Sequence, residues 1–180
     1  MLFISQLIVP VSILAIASIA AVTDARKGVI PNWLTLPALF GAPSVYGLIQ
    51  GIDAFVSSLL GLFICGFAPF LLFIRRATGG GDVKLFAAIG SICGVRWGME
   101  IELISLIVAA IYALARLALN GKLMRTLTNS GWLLLDLVLP RARRKEIRPE
   151  YMASVRMGGA VLVAALWVIL KNYPNQWMLP

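Results

Sequence analysis

The sequence contains no histidine at all and only two cysteines, Cys65 and Cys93, which both lie inside apolar runs. The lack of histidine excludes most zinc sites and every catalytic dyad or triad that uses an imidazole. Charged residues are also scarce, at 13% of the chain, and only 8 residues are acidic. Any chemistry that the protein performs must therefore use other side chains.

Apolar residues are abundant: they make up 60% of the chain, and the mean hydropathy is +0.90. These values lie far from those of soluble domains. Apolar stretches long enough to cross a bilayer of about 30 Å recur along the whole sequence and leave no room for a separate soluble domain. We therefore expect an all-α, polytopic membrane protein with a single integral membrane domain over residues 1–180.

Six apolar segments predict membrane spans, and segment 120–156 predicts a basic cytoplasmic loop that lies on anionic lipid. No basic residue precedes the first span, so we expect a retained helix rather than a cleaved signal peptide. The fourth span is short for a full crossing. The spans are residues 2–22, 33–50, 54–74, 82–95, 99–119 and 157–170.

The basic residues indicate the orientation of these spans. All 16 lysines and arginines except Arg96 and Lys171 fall on one side of the predicted topology. By the positive-inside rule that side is the cytoplasm, which places the N-terminus outside. The same rule accounts for the net charge of +8, so we do not expect nucleic-acid binding.

The acidic residues are functional candidates because an ionised group near hydrocarbon is costly. We assign six of them to solvated surface roles or local ion pairs. Asp24 and Asp82 remain, and both reach the cytoplasmic interface in the predicted topology. The other six are Asp53, Glu100 and Glu102 on the outer side and Asp136, Glu146 and Glu150 in the basic loop.

Asp24 and Asp82 can face one another if the first and fourth spans are neighbours, with a water molecule held between them. Aspartic proteases hydrolyse amides with that arrangement, in which one carboxyl carries a proton and the other takes one from water. Each residue alone also has a simpler structural interpretation. Asp82 can cap the fourth helix, and Asp24 can be an interfacial acid beside its basic neighbours.

The segments around the two acids form two motifs. Asp24 is followed by Lys27, Ile30-Pro31-Asn32 and Leu34-Thr35. Gly79 to Asp82 read GxGD and are followed by Val83-Lys84-Leu85 and Ala87-Ala88-Ile89-Gly90. Both segments resemble the type IV prepilin peptidase family, whose members are intramembrane aspartic peptidases. The resemblance extends from the first span to about Ala165 and is strongest in these segments.

The resemblance implies an aspartic endopeptidase of the bacterial inner membrane with Asp24 and Asp82 as catalytic residues and with no metal or cofactor. Its substrate would be a pilin-like precursor, cut after a short basic leader at the cytoplasmic face. Lys84 is interpreted first as an interfacial anchor. Substrate contacts are expected from Gly79, Gly80, Gly81, Lys84, Pro31 and Asn32.

Larger members of that family carry a cytoplasmic domain with two CxxC pairs and also methylate the new N-terminus. This chain contains no CxxC, so the resemblance implies a peptidase without methyltransferase activity. It is similar to the short forms that accompany tight-adherence (Flp) pilus systems, and the pilus assembly machinery is a further candidate partner. One departure lies at Val155-Arg156-Met157-Gly158-Gly159, where the short forms usually have a proline and an aromatic residue before a glycine.

Two other functions are compatible with the residues. One is a small transporter or channel whose two aspartates bind a cation or relay protons, although such a site is expected near the midplane of the bilayer. The other is a non-catalytic pilus assembly factor that has kept the fold. The spacing of Gly90 with Gly94, and of Gly47 with Gly51, further predicts close contacts between helices.

Overall fold

The computed structural model describes residues 2–75, 78–119 and 157–172. In these residues the regular structure is entirely helical, which confirms the predicted all-α class. Of the described residues, those up to Val108 form one compact unit together with residues 157–172, and residues 109–119 belong to a second. The predicted basic loop lies outside the described residues. The helices are α1 (Leu2–Lys27), α2 (Asn32–Gln50), α3 (Ile52–Ile74), α4 (Gly80–Leu119) and α5 (Met157–Asn172).

Long apolar helices make this chain a membrane protein. Three described stretches are long and apolar enough to cross a bilayer, namely Leu7–Lys27, Ile52–Ile74 and Gly80–Arg116, and Met157–Asn172 is a shorter apolar helix. Phe63 and Phe67 of α3 are exposed, as side chains that face lipid would be. The count of six crossings and the outside N-terminus stay predictions.

Helix α1 continues past its predicted end at residue 22 and stops at Lys27. Gly28 terminates it in the left-handed conformation, with φ +66°, and its N–H donates to the Asp24 carbonyl at 2.9 Å. A glycine in this conformation is a common helix stop because it has no Cβ to clash. Asp24 consequently lies in the last turn of α1.

Helices α2 and α3 are joined by Gly51 alone. Its φ of +93° belongs to a turn, and a Cβ there would meet nothing within 4 Å, so the predicted helix contact at Gly51 is wrong. The contact at Gly47 is confirmed, since a Cβ on it would lie 3.3 Å from Cβ of Phe55. Asp53 lies in the first turn of α3.

Helix α4 reverses direction at Gly94, where the backbone is non-helical with φ 76° and ψ −179°. A Cβ on Gly98 would lie only 2.9 Å from Cα of Gly90, whereas eight residues of straight helix rise about 12 Å. The two predicted spans 82–95 and 99–119 are therefore two helical segments joined without a loop. The reversal also explains why the first of them is short.

Glycines line the contact between α3 and both segments of α4. A Cβ on Gly61 would overlap the carbonyl oxygen of Gly90 and would lie 3.1 Å from the carbonyl carbon of Gly94. Small residues of this kind let helix backbones approach closely inside a membrane. The predicted close contacts at Gly90 and Gly94 are confirmed.

Side-chain hydroxyls bind the carbonyls just before the reversal. The Tyr46 hydroxyl of α2 donates to the Ile92 carbonyl, and the Ser58 hydroxyl of α3 donates to the Ser91 carbonyl at 2.6 Å. Carbonyls at the end of a helix lack their usual partner, the N–H group four residues later in the same helix. These two bonds therefore stabilise the end of the first segment and tie it to two neighbouring helices.

Replacing Tyr46 by phenylalanine is expected to lower the free energy of unfolding by about 1–2 kcal/mol, because it removes the donor from a buried carbonyl. Ser44→Ala is the matched control on α2, since the exposed Ser44 hydroxyl bonds to Phe40 within its own helix. Unfolding in detergent micelles, followed by circular dichroism, measures both variants. Equal stability of the two would contradict the role given to Tyr46.

An apolar core lies where α1, α4 and α5 meet. Helix α1 packs along α5 and α2 packs along α3. Small side chains on α1 and α5 allow this close approach, while larger ones on α4 fill the space between them. The fully buried members include Ile13, Ala17 and Ala20 of α1, Leu85, Phe86 and Ile89 of α4, and Val161, Ala164 and Val168 of α5.

Candidate active site

Asp24 is a buried carboxylate, only 7% exposed, in the last turn of α1. Its Oδ2 accepts a hydrogen bond at 2.9 Å from the backbone N–H of Gly158 at the start of α5. The interpretation of Asp24 as a simple interfacial acid among solvated basic neighbours does not fit this burial. The side chain is held by a backbone group that comes from 134 residues further along the chain.

Asp82 lies in the first turn of α4 and is partly buried. Its Oδ2 accepts a hydrogen bond at 3.1 Å from the N–H of Gly79, and its own N–H donates to the Gly79 carbonyl at 3.1 Å. An acid that reaches back to the residue preceding its helix forms half of a capping box. Asp82 therefore does cap α4, and this bond also fixes the direction of its carboxylate.

The two carboxylates are brought to the same region of the fold. Asp24 lies in the last turn of α1 and Asp82 in the first turn of α4. The adjoining backbone is in contact, since a Cβ on Gly81 would lie 3.1 Å from Cβ of Ile30. The turn after α1 therefore rests on the glycines that open α4, and the absence of a side chain at Gly81 allows this.

Two of the expected substrate-contacting residues are bonded to each other. The Lys84 ammonium donates to Oδ1 of Asn32 at 3.0 Å, which joins the start of α2 to the first turns of α4. Pro31 immediately precedes α2 as its N-cap. Gly79 is exposed. Gly80 packs near Phe73, since a Cβ added to Gly80 would lie 3.4 Å from Cε2 of Phe73.

The remaining described acids have different surroundings. Glu100 pairs with Lys171 of α5 at 2.7 Å, in agreement with the predicted local ion pair, and Asp53 is exposed. The expectation of a solvated role for Glu102 is wrong, because this residue is only 5% exposed. Asp136, Glu146 and Glu150 lie outside the described residues.

The burial of Glu102 follows from the reversal at Gly94. Gly98, Glu102 and Ser105 share one helix face by their spacing, and Gly98 packs against Gly90 and Cys65. The face that carries Glu102 consequently turns inward. The spacing of Gly90, Gly94 and Gly98 could have indicated that Glu102 is buried. These glycines mark the side on which the second segment of α4 packs.

The part of the chain that the structure describes contains no group of three or more histidine, cysteine, aspartate or glutamate residues that could hold a metal ion. Both cysteines are buried and free. The site itself offers two carboxyl groups, Asp24 and Asp82. Two such groups on either side of a water molecule suffice for amide hydrolysis by general acid–base catalysis.

Sequence comparison agrees with the motifs around these acids. A sequence profile described as the type IV leader peptidase family matches residues 11–114. The chain belongs to the type IV leader peptidase family. The matched residues contain Asp24, Asp82 and the whole of the reversal in α4. This membership confirms the resemblance that the two acidic segments indicated.

Curated relatives of this leader peptidase family member carry the name prepilin leader peptidase/N-methyltransferase. The protein from Bacillus subtilis (strain 168) is 35% identical over 127 residues, which cover 67% of this chain and 48% of the relative. The one from Escherichia coli (strain K12) is 32% identical over 123 residues, covering 64% and 54%. The chain thus spans about half the length of these relatives. No solved structure matches it.

Proposed function

We propose that this protein is a prepilin leader peptidase, an aspartic endopeptidase that hydrolyses the peptide bond after the basic leader of a type IV prepilin. The observation that carries the proposal is the contact between the turn that follows Asp24 and Gly81, the residue before Asp82. Both acids lie at helix ends within the residues matched by the leader peptidase family. Neither acid has a charge partner of opposite sign among the described residues. Such a pair is suited to proton transfer rather than to structural ion pairing.

The proposed reaction uses the two carboxyls in opposite protonation states. The ionised carboxylate takes a proton from water as the water oxygen bonds to the scissile carbonyl carbon, and the protonated carboxyl donates to the carbonyl oxygen. The C–N bond of the resulting gem-diol then breaks as the leaving nitrogen takes the proton that the first carboxylate received from water, which gives the new N-terminal amine. One gem-diol hydroxyl returns its proton to the second carboxylate, so the other product is a carboxylic acid and the pair is restored. Each acid accepts a described hydrogen bond through Oδ2 only, which leaves Oδ1 for water and substrate.

The surroundings of the pair suit a substrate that unwinds at the membrane surface. Backbone at that depth needs polar partners that lipid does not offer. The exposed Gly79 lies directly beside Asp82, since a Cβ added to Gly79 would lie 3.5 Å from Oδ2 of Asp82. A substrate strand can therefore approach the acid there. We assign further substrate contacts to Gly80, Gly81, Pro31, and the bonded pair of Asn32 and Lys84.

The finer features of the proposal concern location and substrate. The protein crosses the bacterial inner membrane six times with its N-terminus outside, a single integral domain covers the chain, and the active pair faces the cytoplasm. The substrate is a prepilin of the tight-adherence (Flp) type. The protein has no N-methyltransferase activity, because Cys65 and Cys93 do not form a CxxC pair.

Mass spectrometry of a purified reaction tests both halves of this proposal. The protein in lipid nanodiscs is incubated with an Flp-type prepilin and S-adenosylmethionine. We expect two products whose masses sum to that of the precursor plus one water, with an unmethylated new N-terminus. An uncut precursor would favour the non-catalytic assembly factor, and a methylated product would contradict the absence of methyltransferase activity.

A further inference from the structure

The start of α5 makes an unusual approach to the candidate acid on α1. Gly158 is buried, while its neighbour Gly159 is exposed. A Cβ on Gly158 would lie 2.9 Å from the Ala20 carbonyl oxygen and 3.0 Å from both Cα of Ala21 and Cβ of Asp24. A Cβ on Gly159 would meet nothing within 4 Å. Only the first of these two adjacent glycines is therefore required by packing.

The same approach creates the hydrogen bond to Asp24. The N–H of Gly158 belongs to the first turn of α5, where amides have no partner within their own helix. It reaches Oδ2 of Asp24 at 2.9 Å, a normal length for such a bond. An amide at a helix start is also attracted to a carboxylate by the helix dipole. The buried acid thus receives a fixed donor from a helix far away in sequence.

We infer that Gly158 is a positioning residue, whose backbone N–H holds the Asp24 carboxylate in place and whose missing Cβ allows α5 to come close enough to do so. The inference rests on the proposed function, since it assigns Asp24 to the reaction. Asp82 is held by Gly79 within its own helix turn. The geometry of the pair therefore depends on one local bond and one bond between α1 and α5.

Selective isotope labelling measures the bond without any change at Gly158. Met157–Gly158 is the only place in the sequence where a glycine follows a methionine. Labelling methionine carbonyl carbon with ¹³C and glycine nitrogen with ¹⁵N therefore isolates the Gly158 amide in an NMR spectrum. We expect its proton resonance to move upfield in Asp24→Asn, because a neutral acceptor makes a weaker bond than a carboxylate.

Asp53→Asn is the control for this measurement, since Asp53 is an exposed acid in the first turn of α3. It should leave the Gly158 resonance in place. A resonance that responds to Asp24→Asn no more than to Asp53→Asn would overturn the inference. This outcome is independent of whether the protein cleaves any precursor.

Kinetics of the neighbouring glycine variants test the positioning itself. In Gly158→Ala the added Cβ meets backbone atoms that cannot rotate away, so α5 must shift and the bond must lengthen. A displacement of this size is expected to lower kcat by about 10- to 100-fold, with KM within about twofold of wild type. Gly159→Ala should keep both constants within about twofold.

Two results would contradict the positioning role. One is equal kcat in the two alanine variants. The other is a loss of kcat in Gly158→Ala that comes with an equal rise in KM, because a general structural disturbance would change both constants. If Gly158→Ala does not fold, the labelled wild-type and Asp24→Asn proteins decide the matter. If the wild type cuts no precursor, the proposed function fails, while the labelling still decides whether Gly158 holds Asp24.

Discussion

Asp24→Asn and Asp82→Asn are each expected to lower kcat for prepilin cleavage by at least about 100-fold, because general acid–base catalysis contributes about 10²- to 10⁴-fold. Asparagine keeps the shape of the side chain but can neither donate nor take a proton at neutral pH. The measurement is the steady-state rate of cleavage over a range of prepilin concentrations, which gives kcat and KM separately. Losses confined to KM would indicate a binding role instead.

Asparagine also separates catalysis from the structural role of Asp82. In Asp82→Asn the amide oxygen of the new side chain can still accept the bond from Gly79, since amide as well as carboxylate side chains serve this position of a capping box. A residue that only caps α4 would therefore leave the rate unchanged in this variant. A large loss of rate with an unchanged unfolding midpoint assigns the chemistry to the carboxyl.

Matched controls come from acids outside the pair. Asp53→Asn and Glu100→Gln remove the same charge from exposed or partly exposed positions. Both should cleave at rates within about twofold of wild type, because surface substitutions away from a site have small effects. Wild-type rates in Asp24→Asn or Asp82→Asn, measured beside these controls, would defeat the proposed peptidase.

Gly90→Ala is expected to lower the free energy of unfolding by about 1–3 kcal/mol, the usual cost of overpacking a dense interior. The added Cβ would overlap the Gly61 carbonyl oxygen and would lie 2.7 Å from Cβ of Cys65. Both are parts of α3 that cannot move alone. Equilibrium unfolding in micelles is the appropriate measurement, with helicity as the signal.

The control for Gly90→Ala is Gly41→Ala, a glycine inside α2 at which a Cβ would meet nothing within 4 Å. Alanine there should be neutral or should stabilise the protein by about 0.5–1 kcal/mol, because glycine loses more backbone entropy in a helix. Equal free energies of unfolding in the two variants would contradict the claim that the contact between Gly61 and Gly90 leaves no room for a Cβ.

The local features of the fold could be predicted from the sequence. Hydropathy located every described helix to within a few residues, and the motif around Gly79 to Asp82 marked a helix start that the structure confirms. The small extension of α1 to Lys27 was missed because basic residues end a hydropathic pattern without ending a helix. Gly28 was the residue that marked the stop.

Contacts between distant segments could not be predicted in the same way. Nothing in the local pattern indicates that the N–H of Gly158 reaches Asp24, because that bond depends on how α1 packs against α5. The inward position of Glu102 likewise depends on a reversal of the chain at Gly94. Hydropathy records how apolar a segment is, and it does not record which partner a helix face meets.

The glycine contact between α3 and α4 constrains how the length of this chain can vary. Asp82 and Gly90 lie eight residues apart on one continuous helical segment, and each residue turns a helix by about 100°. An insertion or deletion of one residue between them would rotate the acid away from Asp24 while Gly90 stayed against Gly61. Natural variants of this protein should therefore tolerate substitutions in that interval but keep its length unchanged.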